Sequence, residues 1–373
     1  MKIVFFSSSI IPSTSANSIN VMKMCSSFSK LGHETILFAR NSSFSASCDF
    51  SYYGIKPNFT IFKNSWPPFR GIGGIIYGKL NQRIFTTLCM PDLLYGRDLY
   101  SLFFLRNRKI PIIYESHKPP LNRFHKKMEK YLFKVPNFRK LVVISSALKS
   151  IYIDMFPWLP ENKIAVAHDS ADDPLTYNIN PKKLPGRDNS IKVGYIGSFY
   201  KGRGIENIIK LAKETTQVDY HLIGGTKTQV QKYRSMAADL TNLFFHGFIP
   251  HGNLADYFKA FDILLAPYQK KVSVSDKDKS SDTSIWMSPL KIFEYMAWGK
   301  AIIASNIPVL KEILSHKENC ILCSPENISS WIDAVNMLST NAILRDSIGL
   351  RAKQQFLKHH TWEHRADFVL KSI

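Results

Sequence analysis

Ser288 to Ser305 reads SPLKIFEYMAWGKAIIAS. Ser288 is a residue type that caps helices, Pro289 suits a first helical position, and Gly299 sits where a left-handed residue closes a helix, so the spacing predicts a helix of about three turns. Ala301 to Ser305 then forms a nearly all-apolar run, the pattern of a strand buried in a parallel sheet. A helix feeding such a strand is one unit of an α/β fold. Glu294 is the only carboxylate in the stretch. On an ordinary helix it would be a surface charge.

Working outward, the same pulses recur. Lys192–Ile196, Tyr220–Ile223, Leu243–His246 and Ile263–Ala266 read as strands; Gly204–Lys213, Gln229–Leu240 and Leu254–Phe258 read as the helices between them. The first half opens as βαβ, with strand Lys2–Ser8, helix Ile19–Leu31 closed by Gly32, and strand Glu34–Ala39. IPIIYES, KLVVIS and KIAVAHD continue it. A chain of 373 residues suits two α/β domains of roughly 150 to 190 residues. The expected fold is two doubly wound, Rossmann-like domains facing a cleft: residues 1–180, completed by about 356–373, and residues 190–355. The proline-rich, polar stretch Asp173–Ser190 reads as the linker. In the final segment Trp362, Ala366, Phe368, Val369 and Leu370 fall at helical spacing, so it should dock rather than trail.

The 45% hydrophobic and 21% charged residues are those of a folded globular chain, and no window approaches the ~18 apolar residues of a membrane span. Ser7, Ser8 and Ser9 interrupt the first apolar run, which favours a core strand over a signal peptide. The five cysteines are scattered, which suits a reducing, cytoplasmic setting. Cys320 and Cys323 form a C-x-x-C without a second pair to complete a zinc site, and no metal is expected there. Net charge is +20. Residues 101–150 hold 12 basic residues against Glu115 and Glu129, and residues 51–91 hold five basic residues, no acid and several aromatics. Such a surface suits an anionic lipid face, a phosphate-bearing substrate or nucleic acid. The basic amphipathic pieces NSWPPFRGIGGIIYGKL and LNRFHKKMEKYLFKVPNFRK favour the membrane over nucleic acid.

The second half opens VGYIGSFYKGRGIENIIKLA, a strand, a turn with Gly197, Gly202 and Gly204, and a helix. Free amides at a helix N-terminus, with Lys201 and Arg203 beside them, make an anion site. The turn is neither a Walker loop nor G-x-G-x-x-G. It and the Ser288-Pro289 helix start belong to the carboxyl edge of one sheet, where two helix N-termini can clamp a diphosphate and Glu294 can accept from a pair of hydroxyls.

These stretches, with HGFIPHGNLADYFKAFDILLAPY between them, resemble the carboxy-terminal domain of the GT-B glycosyltransferases, in particular the retaining family-4 group. The first half is similar as well, through the SANSINVMKM loop and helix, Tyr114-Glu115-Ser116-His117, Ile144 to Leu148 and Lys163 to Asp172. TWEHRADFVL resembles the helix that crosses back to the first domain.

The resemblance implies that Lys201 and Arg203, the Gly197-Ser198 turn, and the amides of Ser288, Pro289 and Leu290 hold the donor diphosphate. It further implies that Glu294 binds the ribose, that Phe248 and Ile249 meet the base, and that Gly224 and Gly225 line the cleft edge. His117 would approach the transferred sugar, and Thr14, Ala16 and Asn17 the acceptor. His117, Lys201 and Glu294 form the implied catalytic set, with no cofactor and no metal.

Two departures stand out. Trp286 occupies the first position of the family's E-x7-E pair, leaving sugar recognition to backbone or to Ser284 and Ser288. Ser198 stands where a basic residue often follows the first glycine. Asp276-Lys277-Asp278 matches a D-x-D by chance and is discounted. The expected activity is retaining sugar transfer from a UDP- or GDP-linked donor to a lipid-linked or envelope glycan at the inner membrane face. A non-enzymatic basic binding protein and a same-fold epimerase or phosphorylase are the alternatives.

Overall fold

The computed structural model describes residues 1–42, 49–69, 71–88, 90–174, 179–274 and 282–371. The chain divides into two compact units, Met1–His168 with Trp362–Ile373, and Asp169–Thr361. The first runs β1 (Lys2–Ile11), α1 (Ala16–Lys30), β2 (Glu34–Asn41), α2 (Asp49–Tyr52), β3 (Thr60–Asn64), α3 (Gly73–Phe85), β4 (Leu93–Gly96), α4 (Leu99–Leu105), β5 (Ile112–Ser116), α5 (Arg123–Phe133), β6 (Phe138–Val143), α6 (Ser146–Met155) and β7 (Ile164–Val166). The second runs β8 (Lys192–Ile196), α7 (Ile205–Glu214), β9 (Asp219–Ile223), α8 (Lys227–Met236), β10 (Leu243–Gly247), α9 (Ala255–Ala260), β11 (Ile263–Ala266), α10 (Leu290–Ala297), β12 (Ala301–Ser305), α11 (Pro308–Lys311), β13 (Ile321–Cys323), α12 (Ile328–Thr340) and α13 (Ala342–His359). The last helix, α14 (Trp362–Leu370), returns to the first unit.

Both units are α/β with wholly parallel sheets. The seven-stranded sheet has the order β3-β2-β1-β4-β5-β6-β7 and the six-stranded sheet the order β10-β9-β8-β11-β12-β13. Strand order reverses between β1 and β4 and again between β8 and β11, and crevices open at the carboxyl ends of such strands. The central strands are short and apolar because helices cover both faces, and β4, β5, β9, β11 and β12 are buried throughout. In the second unit Val193, Tyr195, Tyr220, Leu222, Ile263, Leu265, Ile303 and Trp331 form one continuous core with Ile208 and Leu211 of α7.

Differences from the sequence reading have local causes. The division falls at His168–Asp169 because the following backbone is already tied to the second unit: Ala171 donates to the His360 carbonyl at 3.2 Å, and Lys182 donates to Asp256 O at 3.0 Å. Helix α1 starts at Ala16, three residues before the expected Ile19, because the Ser15 side chain accepts from the Asn17 amide at 3.2 Å. Helix α8 starts early for the same kind of reason, a capping box of Thr226 and Gln229. Phe368 is exposed, unlike Trp362, Ala366 and Val369 on the docked face of α14. The NSWPPFRGIGGIIYGKL piece is only partly a surface feature. Gly74 and Gly78 of α3 lie so close to Tyr100 that an added Cβ would come within 2.3 and 2.8 Å of it.

Candidate active site

After β8 the chain turns through Gly197, Gly202 and Gly204, with φ of 152°, 84° and 83°. A Cβ at Gly202 would lie 1.9 Å from the Lys271 carbonyl, and one at Gly204 would lie 1.9 Å from that of Pro267. The segment after β11 therefore presses on this turn and requires glycine. Tyr195 donates to the Ser198 carbonyl at 2.7 Å and braces it. Lys201 is exposed, and Gly204 caps α7. The Arg203 guanidinium lies 5.4 Å from the Tyr268 ring centroid, and its buried Nε has no hydrogen-bond partner.

Helix α10 begins at Leu290 and spans eight residues, shorter than the expected three turns. Ser288 does not cap it, since its hydroxyl accepts from the Asp169 amide at 2.9 Å. Pro289 is the boundary residue, outside the helix rather than its first position. The expected close does occur: Gly299 has φ of 62°, and its amide donates to Met296. Tyr295 anchors α10 across the sheet, its hydroxyl accepting from Ile196 N at 3.0 Å and lying 3.3 Å from Leu265 O. The helix thus sits over the ends of β8 and β11, at the reversal point. Glu294 Oε1 is 2.6 Å from His251 Nε2, and both side chains are mostly buried.

The remaining donor-side candidates share this edge. Gly224, after β9, has φ of 126° and donates to the Gly247 carbonyl at 2.7 Å, and a Cβ on it would lie 1.9 Å from Gly197 O. Gly225 follows with φ of 74°. Phe248, after β10, exposes 48% of its surface, and Ile249 is half-buried. The loops after β8, β9, β10 and β11 therefore meet at one sheet edge, bringing together every donor-side residue expected from sequence. Ser284 and Ser288, the hydroxyls left for sugar recognition, are both engaged. Ser284 Oγ lies 2.7 Å from Lys270 O and 2.6 Å from the Asp282 carboxylate. Asp276-Lys277-Asp278 lies outside the described residues.

In the first unit His117 follows β5, and Nε2 is 2.5 Å from Glu115 Oε1. Glu115 is buried, and Arg365 of α14 holds it through two contacts of 3.1 Å, with Tyr95 donating to it as well. Burial opposes ionisation of Glu115, but Arg365, His117 and Arg97 outweigh it and hold the carboxyl well below its ordinary range. Burial, then Arg97, pushes His117 down to about 3. An ionised carboxylate only accepts, so Nε2 carries the imidazole proton and Nδ1 is left as an acceptor. Thr14, Ala16 and Asn17 are exposed where β1 passes into α1, at the same edge of that sheet.

Sequence reasoning missed three groups here: His251 beside Glu294, the Glu115–Arg365 pair behind His117, and Lys291. The last had a signal, since a lysine interrupts the otherwise apolar face Leu290, Ile292, Phe293. His251 and Arg365 had none, because their partners lie 43 and 250 residues away.

Residues 177–355 match the family model described as glycosyl transferases group 1. Among curated proteins the chain is similar to an uncharacterized glycosyltransferase of Haemophilus influenzae, 25% identical over 227 residues, 59% of this chain and 57% of that one. It is likewise similar to an uncharacterized glycosyltransferase of Methanocaldococcus jannaschii, 25% identical over 251 residues, 64% and 59% of the two chains. The chain thus spans less than three fifths of the length of these relatives. Among solved structures it is similar to Anabaena Alr3699/HepE in complex with UDP, with a TM-score of 0.71, 14% identity, and coverage of 100% and 99% of the two chains. At that identity the likeness speaks to the fold. The second unit is therefore similar to a glycosyl transferases group 1 domain over residues 177–355, and the two parallel α/β units share the fold of the similar solved structure.

Proposed function

We propose that the protein moves a sugar from a nucleoside diphosphate sugar to a hydroxyl of a lipid-linked or envelope glycan, with retention at the anomeric carbon. The observation that carries this reading is the convergence, at one strand-order reversal, of the Gly197–Gly204 turn with its two cations and the amino end of α10. Lys201, Arg203 and the amides at Ser288 to Leu290 hold the diphosphate and stabilise the charge that develops as it departs. Glu294, oriented by His251, takes the ribose hydroxyls, and the backbone at Phe248 and Ile249 meets the base. His117 offers Nδ1 to a sugar hydroxyl, while Thr14, Ala16 and Asn17 face the acceptor. Neither cofactor nor metal has a part, and the leaving phosphate takes the acceptor's proton. The UDP complex of the similar Anabaena protein makes uridine the first base to test.

The basic first unit supports an anionic membrane as the place of work. Helix α5 buries Met128, Leu132 and Phe133 and exposes Arg123, Phe124, Lys126, Lys127, Lys130 and Tyr131, with exposed Leu121 just before it. Among the described residues no helix is long and apolar enough to cross a membrane, so attachment would be peripheral.

A thermal-shift panel of UDP-, GDP-, ADP- and CMP-sugars identifies the donor, since a bound donor raises the melting temperature. Lys201→Ala and Glu294→Ala should each cut turnover by about ten- to a hundredfold. Normal turnover in both variants removes these assignments, and the absence of any nucleoside diphosphate release removes the enzyme.

A further inference from the structure

Lys291 is the second residue of α10, and its side chain is buried against the turn that follows β8. Its Nζ has no hydrogen-bond partner. The amine lies 3.7 Å from the centroid of the Tyr195 ring and 5.4 Å from that of Tyr268. A Cβ on Gly197 would come within 2.6 Å of Nζ and 3.0 Å of Cε, so the glycine is what lets the amine lie against the turn backbone. Aromatic faces return only part of the hydration that a buried ammonium gives up. A methionine of similar volume would pack against both rings without that loss. A lysine here therefore carries a cost that the fold does not require.

The charged and titratable groups facing it are Arg203 from the turn before α7, Glu294 from its own helix, Tyr195 of β8 and Tyr268 after β11. Burial, then Arg203, holds the amine well below the ordinary lysine range, with Glu294 pulling the other way. An incoming dianion would reverse that balance.

We propose that Lys291 is a diphosphate-binding residue of the donor site, its Nζ meeting a phosphate oxygen at the Gly197 turn in company with Lys201 and Arg203. It supplies the cation that Ser198 does not. This rests on the nucleotide-sugar reading above. The entering phosphate oxygen gives Nζ the hydrogen-bond acceptor it lacks, and its negative charge favours the charged form of the amine. No covalent bond is made or broken.

The test titrates UDP, GDP, their nucleosides and inorganic pyrophosphate into wild type, Lys291→Met and Lys291→Gln by calorimetry, with unfolding temperatures measured alongside. In the methionine variant, binding of the preferred diphosphate should weaken at least tenfold while binding of its nucleoside changes less than twofold. Its unliganded unfolding temperature should equal or exceed that of wild type. At pH 8, in two buffers of different ionisation enthalpy, wild type should take up protons on binding and the variant fewer. If the methionine variant does not fold, the glutamine variant gives the same comparison. Diphosphate affinity equal to wild type in a folded variant overturns the role of Lys291 and leaves the transferase reading standing. A wild type that binds neither diphosphate nor pyrophosphate overturns both.

Discussion

His117 sits between a carboxylate and two guanidinium groups, and that surrounding fixes its proton. With its imidazole pushed down to about 3, it remains neutral where a free histidine, titrating near 6.5, would charge. Between those values the unfolded chain binds a proton that the folded chain refuses. The stabilisation is therefore complete above about pH 6.5 and is lost as pH falls toward 3. His221, also lowered to about 3 by burial and then His246, works in the same direction. Urea midpoints at pH 7, 6 and 5 should fall with acidity in wild type and fall less steeply in His117→Gln. Parallel slopes would mean that His117 titrates normally in the folded protein. Lys291 teaches a related lesson at this scale. Its position in the sequence was plain, but its burial and its place against Gly197 came only with the packing.

Among the elements, the β8 turn into α7 was the most readable, because glycine spacing is a backbone statement. The helix expected over Gly204–Lys213 spans Ile205–Glu214, and the strands Lys192–Ile196, Ile263–Ala266 and Ala301–Ser305 match their expected bounds. Gly204→Ala would force a left-handed φ on a residue with a Cβ and drive that atom to 1.9 Å from the Pro267 carbonyl. The expected cost is about 2 kcal/mol or more, read from the shift of the urea midpoint. A wild-type midpoint would show that the segment after β11 yields freely. Less readable was α10. Its serine, proline and glycine read as an N-cap, a first turn and a close, but only the glycine serves as expected. A tertiary hydrogen bond from the Asp169 amide claims the Ser288 hydroxyl, and the helix starts one residue later than expected, at Leu290.

At the scale of the whole molecule, the chain leaves its first unit at His168 and returns to it with α14. Arg365 fastens that return, donating to the carbonyls of Ala167 and His168 and pairing with buried Glu115. Lys30–Glu363 at 2.6 Å adds a more exposed link. Arg365→Met would leave the Glu115 carboxylate buried without its strongest partner, at a cost of about 3–5 kcal/mol. Thermal unfolding should show it as a clear drop in melting temperature, while Lys30→Ala, at an exposed pair, should change little. Equal melting temperatures for Arg365→Met and wild type would mean that α14 docks by its apolar face alone. The +20 charge is a property of the same scale, and with it comes the proposed attachment to anionic vesicles, which should weaken steeply with salt.

The sequence by itself determined the α/β alternation, the two-part division and the glycines of the turn after β8, because strand period, helix stops and positive φ are local properties of neighbouring residues. Tertiary structure decided which side chains meet: His251 with Glu294, Arg365 with Glu115, and Lys291 with the Gly197 turn. Those contacts join distant segments, and their strength depends on burial and lowered dielectric, which exist only once the sheets and helices have closed around them.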